Sequence, residues 1–219
     1  MHPLPQPEDP NPYTTYSREM VHDTPWIRVR QDVISHRSGA AQRGYSVVGY
    51  RKTACGVLAL DAEDRVVLVG QWRYPLEGYS WEIVEGGGEP GESPFDTLRR
   101  ELVEEAHLTA EVWEPLAFHH PSNASSDEEC FLMLATGLSD AEGGHDDDEE
   151  FLHLRIPFQE AIARVLMGEI TDGPTVVALL ALQARRSGIS APMDSALAER
   201  FFHRPQDHPA AGRARWDNL

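Results

Sequence analysis

From residue 26 to residue 84 the apolar side chains fall in short runs, at Trp26–Gln31, Tyr45–Tyr50, Ala54–Leu60, Arg65–Gln71 and Ser80–Val84. Gly, Asp and Ser residues separate the runs, which is the pattern of strands joined by tight turns. Asp61 to Asp64 lies between two Val/Leu-rich runs and reads as a hairpin turn. The period then lengthens: Phe95, Leu98, Leu102 and Ala106 share one face of a helix, predicting a helix over Pro94–Ala106. Further strands are predicted at Val112–His119, Glu129–Ala135 and Phe151–Ile156, and helices at Phe158–Met167 and Pro174–Arg186. The order implies an α+β fold with helices packed on a mixed sheet. Residues 1–18 read as a flexible leader, 19–50 as an N-terminal strand subdomain, 51–190 as the main domain and 191–219 as a C-terminal tail.

Composition narrows the function. A chain of 219 residues with 41% hydrophobic content supports a real core. Lys and Arg number 19 against 36 Asp and Glu, a net charge of −17, which repels a polyanion and argues against nucleic acid as partner. An anionic small molecule needs local positive charge, from a few arginines or from divalent cations. Cys55 and Cys130 lie in apolar strand-like runs and read as buried thiols in a reducing compartment. The first residues lack the basic and apolar regions of a signal peptide, and no segment approaches the ~18 consecutive apolar residues of a membrane span. The expectation is a cytoplasmic protein without a membrane partner.

The helix at Pro94–Ala106 carries the chemistry. Ser93 followed by Pro94, with Asp96 in the first turn, is a strong helix start. Glu101, Glu104 and Glu105 fall within an arc of about 100° that borders the apolar stripe, and no Lys or Arg of the helix falls in that arc. Like charges at these spacings cost ~0.2 to 0.5 kcal/mol per pair, so a cation from elsewhere is expected. Oxygen ligands alone suit Mg²⁺ or Mn²⁺. Upstream, Trp81 to Glu85 forms a strand that runs into Gly86, Gly87 and Gly88. Gly86, Gly88 and Gly91 also satisfy a dinucleotide-binding fingerprint, but Glu85, Glu89 and Glu92 would crowd a pyrophosphate and no βαβ unit surrounds them.

Gly86, five residues, Glu92, seven residues, then Arg100, Glu101, Leu102, Glu104 and Glu105, with Leu108 beyond, resemble the box of the Nudix hydrolases. His107 stands where the family usually has glycine. The similarity extends over most of residues 24–186, in Thr24 to Ile27, Gln71 to Pro75, Trp81 to Ile83 and Phe131 to Leu138. These stretches resemble the ADP-ribose and nucleoside-diphosphate-sugar pyrophosphatase branch. The resemblance implies a Nudix-type α/β/α sandwich with an N-terminal antiparallel strand subdomain, a homodimer, and cleavage of the pyrophosphate bond of a nucleoside diphosphate-linked small molecule.

It also implies site residues. Glu101 and Glu105, with Glu104, Glu82 or the backbone carbonyl of Glu85, would hold Mg²⁺ or Mn²⁺. Arg100 would pair with Glu104 and Glu92 and hold the glutamates in place. Arg73 would lie near the substrate. Ser122, Asn123 and Glu128 occupy the stretch matching a substrate loop, although its Pro-Gly is absent here. The acidic run Asp146 to Glu150 follows Gly143 and Gly144, and Glu149 takes the position of the water-activating acid, with Asp147 and Glu150 as alternatives. That run lacks the spacing of a calcium-binding EF-hand loop. A Nudix-like sensor that binds without cleaving would show erosion of the box glutamates, and all are present.

Overall fold

Residue by residue, the central strands send side chains alternately to two different cores. In the computed structural model, which describes residues 4–142, 151–189, 191–203 and Trp216, the chain divides into two units. The first comprises residues 1–51, 122–127 and 212–219, and the second residues 52–121 and 128–211.

In the first unit β1 (Tyr13–Asp23), β2 (Ile27–His36) and β3 (Arg43–Tyr50) form an antiparallel sheet in the order β1-β2-β3. β1 starts inside the stretch expected to be a flexible leader, because Tyr13 to Asp23 pairs with His36 back to Arg28 along the edge of β2. Its side chains are nearly all exposed, so no apolar alternation marks it in the sequence. Arg28, Arg30, Asp32 and Ile34 alternate onto one buried face of β2. Trp216 covers part of that face: the Arg28 and Arg30 guanidinium carbons lie 4.5 and 4.6 Å from its ring centre. Its indole N–H donates to Asp127 Oδ2 at 2.7 Å, and a Cβ at Gly49 would meet the ring at 2.5 Å. Trp216 is therefore packed, not part of a loose tail.

The second unit contains β4 (Ala54–Ala59), β5 (Arg65–Arg73), β6 (Gly78–Glu82), β7 (Val84–Gly87), β8 (Leu108–His119), β9 (Cys130–Asp140) and β10 (Leu152–Pro157). One sheet has the order β7-β4-β9-β8, with β4 and β9 parallel and the other pairs antiparallel. The other, β10-β5-β6, is antiparallel. Its helices are α1 (Pro94–Ala106), α2 (Phe158–Met167), α3 (Gly173–Arg186) and the short α4 (Ser195–Glu199). Cys55, Val57, Ala59, Val67, Val69, Phe131 and Met133 pack with Leu98 and Leu102 of α1. Leu58, Leu60, Val66, Leu68, Cys130 and Leu132 pack instead with Phe158, Ala161 and Ile162 of α2 and with Ala178, Leu179 and Leu182 of α3. Period-two alternation on doubly buried strands thus yields a mixed sheet layered between helices, the α/β/α sandwich expected.

α1 has the bounds its sequence pattern predicts. The Ser93 side chain accepts from the Asp96 amide at 3.1 Å and Asp96 accepts from the Ser93 amide at 3.2 Å, a reciprocal cap. His107 ends the helix in the left-handed region at φ 54° and its N–H donates to Val103 O at 3.1 Å. A side chain there costs roughly 1–2 kcal/mol relative to glycine. His107 also faces the His153 ring at 5.8 Å, a contact that a glycine would give up. We expect His107→Gly to gain about 1 kcal/mol net, raising the thermal midpoint by roughly 2–4 °C. An unchanged or lowered midpoint would show that the ring contact outweighs the backbone strain.

Candidate active site

The site is built around β7, whose side chains alternate between the two helical layers. Val84 joins the α1 core. Gly86 lies on that same side, and a Cβ there would overlap the Glu101 carboxyl, so any larger residue would push that side chain out of its present position. Ile83 belongs to the α3 core, and the Glu85 carboxylate meets Thr175 of α3.

On the α1 side Arg100 is the hub. Its Nε and Nη2 donate to the two Glu92 oxygens at 2.9 and 3.1 Å, a bidentate pair. Its Nη1 reaches Glu104 at 2.7 Å and Glu101 at 2.8 Å. Glu92 also accepts from Thr97 Oγ1 at 3.1 Å and from the Glu89 amide at 3.0 Å. The hydrogen bonds from Arg100 hold the Glu92 carboxyl down at about 2. Burial pushes Glu101 up to about 7 despite the opposing Arg100. Arg100 meets Glu104 at the i,i+4 spacing, and its long side chain also curls back over Glu101, although its Cα lies outside their arc, so the expectation that compensation comes only from elsewhere is corrected. Glu105 is 7% exposed and accepts from the Glu85 amide at 3.3 Å, tying α1 to β7.

On the α3 side three carboxylates converge. One oxygen from each of Glu82, Glu85 and Asp172 lies within 4.8 Å of the others. Glu82 is 2% exposed and paired with Arg73, whose Nε donates at 2.9 Å and whose Nη2 makes a second bond. Burial, reinforced by Asp172, pushes the Glu85 carboxyl well above the usual carboxylate range. Arg73 answers Glu82, which leaves Glu85 and Asp172 to face each other. Asp172 and Thr175 were not identified from the sequence. The run Asp172-Gly173-Pro174-Thr175 carried a usable signal, since Asp before Gly-Pro is a helix cap.

The remaining sequence candidates are distributed differently. Ser122 and Asn123 belong to the first unit and Glu128 to the second. Ser122 Oγ lies 3.2 Å from Ser125 Oγ, in a turn whose Ser125 carbonyl accepts from the Val48 amide at 2.8 Å. Glu128 is half-buried, and burial raises its carboxyl. Glu149, with the whole run Asp146 to Glu150, lies outside the described residues.

The donor set suits a hard divalent cation. Glu82, Glu85 and Asp172 offer only oxygen, as do Glu101, Glu104 and Glu105 on the facing side of the strand. A buried carboxylate pushed toward its protonated form is a group that gains from a nearby cation.

The NUDIX domain family model matches residues 50–178, more than half of the chain, and the chain belongs to the Nudix family as a pyrophosphohydrolase. It is 29% identical over 183 residues to the ADP-ribose pyrophosphatase of Mycobacterium tuberculosis, covering 82% of this chain and 87% of that protein. It is 36% identical over 136 residues to the methanol dehydrogenase activator of Bacillus methanolicus, covering 61% of this chain and 74% of the relative. Its fold matches the crystal structure of an ADP compounds hydrolase with a TM-score of 0.73 at 18% identity, over 82% of this chain and 98% of that one. Among the described residues no helix is long and apolar enough to cross a membrane.

The Glu92–Arg100 pair sets an acid-side dependence of stability. The Glu92 carboxyl is lowered from 4.5 to about 2, so its contribution is complete above pH 4.5 and is lost as pH falls toward about 2. Glu92→Gln is expected to be less stable than the parent at neutral pH, with the gap closing through that window. Urea unfolding at steps of pH measures it, and a gap independent of pH would contradict the pairing.

Proposed function

We propose that the protein hydrolyses the pyrophosphate bond of a nucleoside diphosphate sugar, ADP-ribose or a similar compound, with Mg²⁺ or Mn²⁺, giving a nucleoside monophosphate and a sugar phosphate. The observation that carries this reading is the convergence of Glu82, Glu85 and Asp172 at Arg73, joined through the Glu85 amide to Glu105 of the box helix. The names of the relatives support the substrate class, and the retained box glutamates support turnover over mere binding.

Glu101 and Glu105, with Glu104, and on the other side Glu82, Glu85 and Asp172, are the two sets of residues that would each hold a cation on their own side of β7. When bound, it would neutralise the diphosphate and polarise the bond that breaks. Arg73 supplies a planar donor beside these carboxylates for a phosphate oxygen. Arg100 holds Glu92, Glu101 and Glu104 in one arrangement, so that little reorganisation is needed during reaction. Attack by water forms one P–O bond at one phosphorus, and the bridging oxygen leaves with the other phosphate. The proton of the water passes to a carboxylate acting as base, for which Glu149 is proposed, with Asp147 and Glu150 as alternatives. Ser122, Asn123 and Glu128 are proposed to contact the substrate, and the assembly is proposed to be a homodimer acting in the cytoplasm.

The test is a panel of ADP-ribose, ADP-glucose, UDP-glucose and GDP-mannose, each with Mg²⁺ and with Mn²⁺, read as released nucleoside monophosphate. No release from any member would refute the reading. Glu105→Gln should remove nearly all turnover while circular dichroism stays native, and full turnover would take Glu105 out of the cation site. For Glu149→Gln we expect a large fall in kcat with cation affinity little changed. Wild-type turnover in that variant would pass the role to Asp147 or Glu150.

A further inference from the structure

We infer that the start of α3 is a working part of the site: Thr175 is a positioning residue that sets the Glu82–Glu85 geometry, and Asp172 is a cation-ligating carboxylate. The inference rests on the proposed cation-assisted reaction and adds residues that lie far beyond the box.

In a regular strand, residues three apart project to opposite faces, so Glu82 and Glu85 would be separated by the sheet. Their carboxylates nevertheless lie within 4.8 Å of one another and of Asp172. The geometry has a local cause. β6 ends at Glu82 and β7 begins at Val84, with Ile83 outside both ladders. The Ile83 amide is satisfied from elsewhere: it donates to Thr175 Oγ1 at 2.9 Å. Thr175 is fully buried, and its hydroxyl has a single hydrogen to give. With a lone pair committed to Ile83, that hydrogen is directed at Glu85 Oε1, 3.3 Å away. One hydroxyl thus holds the chain break that lets the two carboxylates converge and also fixes the rotation of one of them.

The same helical turn delivers the third carboxylate. Asp172 caps α3, accepting from the Thr175 amide at 2.9 Å through Oδ2. That bond fixes the Asp172 carboxylate against Glu82 and Glu85. The positive end of α3 offsets part of the repulsion among the three, but a helix end is worth only ~0.3–1 kcal/mol per charge. Among the described residues, the three carboxylates beside the Arg73 guanidinium keep an excess of negative charge that a divalent cation matches.

The experiment compares the wild type with Thr175→Val, Thr175→Ser and Asp172→Asn, with native circular dichroism required of each. Mn²⁺ binding is measured by electron paramagnetic resonance without substrate, and kcat and KM are measured on the best substrate of the panel. Valine keeps the shape and removes the hydroxyl, whereas serine keeps the hydroxyl. Thr175→Val should weaken Mn²⁺ binding roughly 10- to 100-fold. Its kcat should fall in step with little change in KM, while Thr175→Ser retains most of both. Asparagine preserves the cap, so Asp172→Asn should fold even if the valine variant does not, and it too should bind Mn²⁺ more weakly. Wild-type Mn²⁺ affinity in Asp172→Asn, or equal losses in the serine and valine variants, would overturn the inference. Mn²⁺ binding with these losses but no hydrolysis of any panel member would instead overturn the proposed substrate class and leave this inference standing.

Discussion

A carboxylate taken out of water has to be met by charge or by hydrogen bonds, and burying several side by side multiplies the demand. The chain meets that demand differently on the two sides of β7. On the α1 side Arg100 answers Glu92, Glu101 and Glu104 with one guanidinium, supported by Thr97 and the Glu89 amide on Glu92. On the α3 side Arg73 answers Glu82, and Glu85 is left facing Asp172 with its proton affinity raised. Each side therefore keeps an excess of negative charge over its one guanidinium, and on the α3 side the break at Ile83 brings the carboxylates together.

The sandwich makes this division possible. β5 of the antiparallel sheet and β4 and β9 of the mixed sheet are apolar on both faces, so the mixed sheet must be covered twice, by α1 on one face and by α2 with α3 on the other. β7 lies at the edge of that sheet, where alternation hands Gly86 to α1 and Glu85 to α3. The strand thereby acts as a hinge plate between two carboxylate sets contributed by segments far apart in sequence. The Glu105 bond to the Glu85 amide couples them, since a shift of α1 along the strand would disturb the residue that α3 also holds.

What the sequence made legible follows from locality. The cap at Ser93, the stripe of Leu98 and Leu102 and the left-handed stop at His107 are settled within a turn or two of chain. Spacing therefore located α1 and the pairing of Arg100 with Glu104, whereas the family resemblance supplied the box and the pairing with Glu92. The reach of Arg100 to Glu101 was missed because a helical wheel follows Cα directions, while a guanidinium sits several bonds away and can fold back. Asp172 and Thr175 were missed because they join the site only through tertiary packing, some ninety residues from Glu85. β1 escaped for another reason: an exposed edge strand bonds through its backbone and carries no apolar alternation. Trp216 lay in a stretch whose scattered Pro, His and Arg residues gave no sign that one indole would be packed against two arginines.

The acidity of the chain bears on the proposed substrate. A net charge of −17 opposes a diphosphate at a distance, yet at physiological ionic strength charges are screened beyond about 8 Å, so the repulsion matters chiefly near contact. Near contact the local groups decide. Arg73 alone is too little, because both of its bonds described above are already spent on Glu82. A cation among Glu82, Glu85 and Asp172 would change that balance twice, by cancelling their charge and by competing for Glu82 and so freeing part of Arg73 for a phosphate oxygen. On this reading the buried carboxylates do not repel the substrate but make its binding conditional on the cation, which keeps the site closed to diphosphates when the cation is scarce.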